Sequence, residues 1–311
     1  MLVPVILVGG NGTRLAPIST PEFPKPFLDL ADTGKSLFQT TLLRAQLLSD
    51  IPPIIIGAAE HAELIQQQLD QLNAPANLVL EPYKRNTAPA ITVAALYAKE
   101  HYGEKATLIV LPADHHIEDD HYFANAIAQA QLKAPDNHIT VFGIRPTHAN
   151  TNYGYICHDA NHQFQSFVEK PDQQTAKSYL AASNYLWNSG FFLIPVDHYL
   201  MEVKQHEVQI FTAAKQAFEA RSHSTQYDLL SKDYVNSPSR SVDHAILEHS
   251  PNIHLSIYKS GWSDLGTWSA LYDLWPKKDG QGVNSNLNLK LVKHENSIQL
   301  FRDEKWIADV K

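Results

Sequence analysis

An apolar run from Val3 to Val8 stops abruptly at Gly9-Gly10, and four more runs of strand length follow at Pro53–Gly57, Asn77–Leu80, Thr107–Leu111 and Ile139–Gly143. Each is separated from the next by a stretch with helical spacing of apolar residues. Few folds are open to a chain so patterned. The runs read as strands buried on both faces, which predicts an open parallel sheet with helices packed on either side. Ser36 with Gln39 fits a capping box ahead of Leu37, Leu42, Leu43 and Leu47, and further helices fit Glu60–Leu72, Thr87–His101 and Asp119–Lys133.

After about Thr151 the rhythm changes. Short strands are expected near Tyr153–Cys157, Gln163–Glu169 and Trp187–Ile194, interrupted by helices around Gln173–Ala182 and Asp197–Ala220. This reads as an α+β lobe built onto the same sheet. From Pro276 onward a turn-rich stretch leads into alternating segments at Leu287–Val292, Ser297–Phe301 and Trp306–Val310, which predict a small β appendage.

The 33 acidic side chains outnumber the 25 basic ones, giving a formal net charge of −8 over 311 residues. That balance argues against nucleic acid or anionic lipid as a partner. A phosphorylated small molecule stays open because local cations decide. One lysine about 4 Å from a phosphate gains roughly 4 kcal/mol at an effective dielectric of about 20. Cys157 is the only cysteine, so an intramolecular disulfide and a thiolate zinc site are both excluded. The first apolar run has no basic region before it and meets glycine too soon for a signal peptide or a membrane span. Cytoplasm is therefore the expected location.

Several short motifs sit where chemistry is done in such folds. Gly9-Gly10-Asn11-Gly12-Thr13-Arg14-Leu15 follows the first strand directly, where bare backbone can approach an anion and Arg14 adds a fork of donors. It is not a dinucleotide fingerprint, since Leu15 replaces the third glycine or alanine, and it lacks the lysine-hydroxyl ending of a P-loop. A tight turn with a surface arginine is the alternative. Lys25 lies between Pro24 and Pro26, which restrict the backbone on both sides, so it is either a rigid phosphate contact or a solvated lysine in a proline-rich loop. Glu81 ends a strand ahead of Arg85-Asn86-Thr87-Ala88-Pro89, the start of a helix whose free N–H groups are expected to face the sheet edge. Its carboxylate suits the N1–H and 2-amino donors of guanine; a surface glutamate beside a capped helix is the other reading.

Asp114 should emerge at the carboxyl edge of the sheet, where open α/β folds bind ligands, and its hard oxygen donors suit Mg²⁺. His115 and His116 follow it, but no third soft-metal ligand stands at recognisable spacing. Glu169-Lys170 ends a later strand, offering a carboxylate for hydroxyl protons and an ammonium for a phosphate, or simply an ion pair before a turn. Asn188 and Gly190 interrupt an apolar strand, as a ligand contact or an ordinary bulge would. Asp264, between Gly261 and Gly266, reads as a helix N-cap or as a second aspartate that shares one Mg²⁺ with Asp114.

Taken in order, the segments Gly-Gly-x-Gly-Thr-Arg, Pro-Lys-Pro, Glu-Pro-x-x-Arg-Asn-Thr-Ala-Pro-Ala, Pro-Ala-Asp-His, Phe-Val-Glu-Lys-Pro, Trp-Asn-Ser-Gly and Trp-Ser-Asp-Leu-Gly-Thr-Trp resemble the sugar-nucleotidyltransferase family. The Arg-Asn-Thr-Ala-Pro-Ala segment points to its mannose-1-phosphate guanylyltransferases. The resemblance implies an α/β fold, a doubly wound, mixed but mostly parallel Rossmann-like sheet, over residues 1–275. The nucleotide half would span about 1–150 and the α+β sugar-phosphate lobe about 151–275, with a short β tail at 276–311. It further implies that Leu7, Gly9, Gly10, Gly12, Thr13, Arg14 and Lys25 contact the nucleoside triphosphate, and that Glu81, Arg85, Asn86, Thr87 and Ala88 hold the base. Gly154, Glu169, Lys170 and Asn188 would bind the hexose 1-phosphate, Asp114 and Asp264 would hold Mg²⁺, and Arg14, Lys25, Asp114 and Asp264 would be catalytic. The chain departs from the usual pattern at Ala16, Thr20, Pro26, His244 and His249.

The implied reaction joins GTP and mannose 1-phosphate into GDP-mannose and pyrophosphate. Other nucleotide-sugar pyrophosphorylases acting on a heptose, fucose or glucose phosphate, and a non-catalytic sugar-nucleotide sensor on the same fold, are the alternatives. Neither nucleic acid nor membrane is an expected partner, and a homodimer is compatible with the sequence.

Overall fold

The computed structural model describes residues 1–10, 12–295 and 297–310; Asn11, inside the glycine run, lies outside the described residues, as do Asn296 and Lys311. The first half alternates β1 (Leu2–Val8), α1 (Leu37–Leu48), β2 (Ile54–Ala58), α2 (Ala62–Leu72), β3 (Asn77–Glu81), α3 (Thr87–Tyr102), β4 (Thr107–Pro112), the two-residue β5 (His116–Ile117), α4 (Asp120–Lys133) and β6 (Ile139–Ile144). The capping box of α1 forms as expected: Ser36 Oγ accepts from Gln39 N–H and Gln39 Oε1 accepts from Ser36 N–H. The second half contributes β7 (Tyr155–His158), β8 (Phe164–Val168), α5 (Gln173–Ala182), β9 (Tyr185–Pro195), α6 (Val196–His206), α7 (Val208–Glu219), β10 (Ser222–His223), β11 (Asp228–Leu229), β12 (Ile253–Tyr258), β13 (Trp262–Ser263) and α8 (Trp268–Leu274).

Among the described residues, eleven strands form one sheet in the order β10-β11-β3-β2-β1-β4-β9-β6-β12, with β7 joined to β9 and β8 joined to β7. Strands β3, β2, β1 and β4 are parallel, as the apolar runs predict. The expectation that the first-half strands form one purely parallel sheet is corrected at β6: β9 is inserted between β4 and β6, antiparallel to both. Alternate strand residues bury on opposite faces. Val3, Val5, Ile54, Ile56, Leu108 and Val110 pack toward α3, α6 and α7, whereas Ile6, Val8, Ile55, Ile109 and Leu111 pack toward α1, α2 and α4. The sheet is thus wound on both sides. Helix α3 is buried nearly all round because α6 and α7 form a further layer over it.

One expected helix, over Asp197–Ala220, is two, broken at Glu207. The tail is a five-stranded antiparallel meander among the described residues: β14 (Lys277–Lys278), β15 (Gln281–Asn284), β16 (Leu289–Lys293), β17 (Ile298–Arg302) and β18 (Lys305–Val310). It does not hang free. Leu289, Leu291, Ile298, Leu300 and Val310 share a core with Trp268, Leu271 and Trp275 and with Leu15, Ile18, Leu28 and Leu30 from the loop after β1. Trp275 Nε1 donates to Leu30 O at 2.7 Å, and Asn284 Nδ2 donates to Asp29 O at 2.8 Å. No helix among the described residues is long and apolar enough to cross a membrane.

Candidate active site

The glycine turn at the carboxyl end of β1 is shaped by two opposite needs. At Gly12, with φ +58°, a Cβ would lie 2.5 Å from Lys25 Cβ and 2.7 Å from Ser19 Oγ, so only glycine lets this turn seat against Lys25. At Gly9 and Gly10 a Cβ would meet nothing within 4 Å among the described residues, and both glycines line the neighbouring cavity. Lys25 begins a single 3-10 turn after the extended Pro24, and its side chain is only 5% exposed. Its Nζ donates to Asp114 Oδ2 at 2.9 Å and to the backbone carbonyl of Asp264. The reading of Lys25 as a solvated loop lysine is thereby excluded.

Both sequence-predicted aspartates therefore meet at one ammonium. Asp114 follows β4 at the sheet edge and keeps a third of its side chain open to solvent. Burial pushes its carboxyl upward, but the Lys25 charge, helped by His115, prevails and holds it below the usual carboxylate range. Asp264 is not the N-cap of α8; Thr267 takes that role, its side chain accepting from Ala270 N–H at 3.2 Å. Asp264 Oδ1 accepts from the Tyr153 hydroxyl at 2.9 Å and from Gly266 N–H at 2.8 Å, while Oδ2 faces the half-exposed Arg14 at 3.7 Å. His115 Nδ1 accepts from Trp262 Nε1 at 3.3 Å, and burial lowers its tendency to protonate. No group of three metal-ligating side chains occurs among the described residues. Two carboxylates beside an open cleft instead match a hard cation that completes its shell with substrate phosphates and water.

Next to the glycine turn lies a cavity of about 440 Å³ lined by Leu7, Gly9, Gly10, Thr13, Ile56, Glu81, Lys84, Arg85, Asn86, Thr87, Ala90 and Ser239, a size ordinary for a small-molecule site. Glu81 is buried, so the surface-glutamate reading fails. Burial pushes its carboxyl up to about 7, although the Tyr234 hydroxyl, which donates to Oε1, and Lys84 pull the other way. Ala88 is corrected: it is fully buried rather than on the cavity wall. The free helix N–H groups expected there are also engaged, Thr87 N–H by Asn86 Oδ1 at 2.8 Å and Ala88 N–H by the Arg240 carbonyl at 3.1 Å. Arg85 Nη2 donates to the Val235 carbonyl at 2.7 Å, while its buried Nε has no hydrogen-bond partner among the described residues.

The second lobe places Gly154, Glu169, Lys170 and Asn188 together. A Cβ on Gly154 would stand 2.6 Å from Phe167 Cζ and 2.8 Å from Glu169 Oε2, and Gly154 O accepts from Asn188 N–H at 2.8 Å. Lys170 pairs with Glu169 and is largely exposed, so the strand-end ion pair is present whatever else these residues do. Asn188 Nδ2 donates to Asp243 Oδ1 at 2.9 Å. Burial first, and the Glu169 charge second, push the Asp243 carboxyl up to about 6. Asn188 reaches the cleft because β9 bulges: Val141 pairs with Phe192 but Gly143 pairs with Asn188, and Gly190 within the bulge has φ +77°.

Sequence reasoning missed Tyr153, Tyr234 and Asp243 as site residues. Tyr153 and Asp243 stand directly beside Gly154 and His244, but the partners of their side chains lie far away in sequence.

A doubly wound sheet with a glycine turn, a lysine and two aspartates converging at its carboxyl edge defines a nucleotidyltransferase. The chain belongs to the Nucleotidyl transferase family, whose model matches residues 3–279. It is 41% identical over 286 residues to the xanthan biosynthesis protein XanB of Xanthomonas campestris pv. campestris (strain B100), covering 90% of this chain and 61% of that protein. It is 38% identical over 320 residues to a mannose-1-phosphate guanylyltransferase of Escherichia coli, covering 100% of this chain and 67% of that protein. The chain thus spans 61% to 67% of the length of these relatives. Among solved structures, it is similar to a mannose-1-phosphate geranyltransferase from Thermus thermophilus, with a TM-score of 0.76 and 27% identity over 89% of this chain and 80% of that one. A mannose-6-phosphate isomerase from Helicobacter pylori gives 0.74 and 28% over 85% of this chain and 100% of that one.

Proposed function

We propose that this chain transfers the GMP moiety of GTP to α-D-mannose 1-phosphate, releasing pyrophosphate and forming GDP-mannose. The observation that carries the reading is the meeting of Lys25, Asp114 and Asp264 beside a cavity that holds the buried Glu81. An oxygen of the sugar phosphate attacks the α-phosphorus as the bond from that phosphorus to the β-phosphate oxygen breaks, and pyrophosphate departs on the opposite side. The nucleophile is already an anion, so no serine, cysteine or general base is required. What the protein supplies is position and positive charge for two phosphates that repel each other.

In this scheme Gly9, Gly10 and Thr13 approach the triphosphate through the open side of the turn, and Arg14 neutralises the departing pyrophosphate. Lys25 holds the reacting phosphates, having exchanged its contact with Asp114 for them. Glu81 accepts from guanine, with Arg85 and Asn86 on the same wall. Gly154, Glu169, Lys170 and Asn188 orient the hexose 1-phosphate. Nucleotidyltransferases of this family generally use a divalent metal ion; Mg²⁺ is the ion we assign to the carboxylates of Asp114 and Asp264. It would supply additional neutralisation of phosphate charge. The single Cys157 and the absence of any disulfide requirement favour a reducing, cytoplasmic setting.

The deciding experiment measures Mg²⁺-dependent pyrophosphate release with GTP, ATP, UTP and dTTP, each against mannose, glucose, fucose and heptose 1-phosphates. Turnover greatest with GTP and mannose 1-phosphate is expected. Preference for another pair would replace the substrate assignment, and binding of GDP-mannose without turnover of any pair would favour a sensor.

A further inference from the structure

We infer that Tyr153 is a positioning residue for the cation: its hydroxyl, together with Gly266 N–H, pins Asp264 Oδ1 so that Oδ2 is the oxygen presented to the metal. The inference rests on the assignment of Asp264 as a metal ligand made above. A carboxylate on a loop can rotate about its last torsion and exchange its two oxygens. Here Oδ1 accepts two hydrogen bonds, from Tyr153 at 2.9 Å and from Gly266 at 2.8 Å, whereas among the described residues Oδ2 faces only the guanidinium of Arg14 at 3.7 Å, which is half exposed and able to move away. The two oxygens are thereby made unequal before any ligand arrives.

The tyrosine is itself held firmly. Its ring packs edge-on against Trp187 at 5.1 Å and against Trp262 at 5.2 Å. Those contacts do not need the hydroxyl, so ring packing and hydrogen bonding are separable by substitution. Partners that orient a metal-bound carboxylate typically govern affinity by about 10–100-fold. The position also has a geometric consequence. Tyr153 directly precedes Gly154, so the lobe proposed to hold the sugar phosphate also reaches the aspartate on the far loop.

The test uses the full chain and Mn²⁺ as a paramagnetic stand-in, with free ion followed by electron paramagnetic resonance in the absence of nucleotide and sugar. Tyr153→Phe is expected to weaken Mn²⁺ binding about tenfold or more, with an unchanged thermal midpoint. In the turnover assay it should raise the half-saturating Mg²⁺ concentration while leaving KM for mannose 1-phosphate near its original value. Tyr153→Leu removes both ring and hydroxyl and should match Phe in Mn²⁺ affinity while lowering the thermal midpoint. If Leu weakens Mn²⁺ binding and Phe does not, ring packing alone matters and the inference is overturned. Asp264→Asn separates the two levels of the argument. Loss of Mn²⁺ binding in this variant with none in Tyr153→Phe refutes the role of Tyr153 only, whereas unchanged binding in Asp264→Asn refutes the metal assignment beneath it.

Discussion

Replacing Glu81 with glutamine tests the base pocket through its dependence on pH. The carboxyl is raised from 4.5 to about 7 by burial, against the opposing effects of Tyr234 and Lys84. Only the ionised form offers acceptors to both guanine donors. A group with that value is about 90% ionised near pH 8 and about 10% ionised near pH 6, and apparent affinity scales with the competent fraction. The KM for GTP should therefore rise about tenfold between about pH 8 and about pH 6, measured by pyrophosphate release at saturating mannose 1-phosphate and Mg²⁺. In Glu81→Gln the KM should be higher at alkaline pH and nearly level across this range. Substrate phosphates titrate alike with both proteins, so the difference between the two curves isolates the side chain. Tyr234→Phe removes a donor that favours the ionised form and should move the wild-type curve to higher pH.

Stability must follow with a definite sign. A carboxyl raised on folding contributes stability that is full below its unfolded value of 4.5 and is lost as pH climbs through about 7. The interval corresponds to about 3 kcal/mol. Urea unfolding at several pH values should show the wild type losing ground to Glu81→Gln as pH rises from 4.5 to about 7, with little further change above that. A level GTP profile in the wild type, or the same slope in both proteins, would refute the assignment of Glu81 to the base.

Four other substitutions probe the rest of the cleft and the core that supports it. Lys25→Ala and Asp264→Ala should each lower kcat by at least a factor on the order of 10²–10³, with circular dichroism unchanged; near-normal turnover in either folded protein would contradict their roles. Gly154→Ala drives a methyl to 2.6 Å from Phe167 Cζ and 2.8 Å from Glu169 Oε2. Relief of such overlap typically costs about 1–3 kcal/mol, so KM for mannose 1-phosphate should rise about tenfold or more while KM for GTP holds. Trp275→Ala empties a fully buried site and deletes the bond to Leu30 O. Denaturation should register a loss of about 3–5 kcal/mol, and turnover should fall because the same core supports the loop that carries Lys25.

Much of the first half of the chain was legible because its signals are local. An apolar run ending in glycine, a Ser36–Gln39 cap and an aspartate after β4 are each contained in a few consecutive residues. Lys25 was legible as a candidate because Pro24 and Pro26 flank it, but its burial was not, since both partners lie elsewhere in sequence. The insertion of β9 between β4 and β6 was hidden for the same reason: an apolar strand does not announce which neighbours it will pair with or in which direction. Ile253–Tyr258 was overlooked although it alternates, and only its parallel pairing with β6 makes it part of the sheet. Helices α6 and α7 read as one because no glycine or proline marks the break at Glu207. Ala88 was misplaced because a motif lists neighbours without saying which of them turns inward.

The shared core of the tail meander and the loop after β1 has a consequence for the order of events at the ribosome. Leu15 and Ile18 are made well before Leu289, Leu291, Ile298 and Leu300, which close over them. At typical elongation rates of about 5–20 residues per second, the early loop waits on the order of tens of seconds for its cover. The parallel strands have their partners during that interval, but the apolar side of the loop that carries Lys25 lacks part of its cover. A nascent chain halted before β16 would carry the parallel strands and a loop after β1 whose apolar side is partly uncovered.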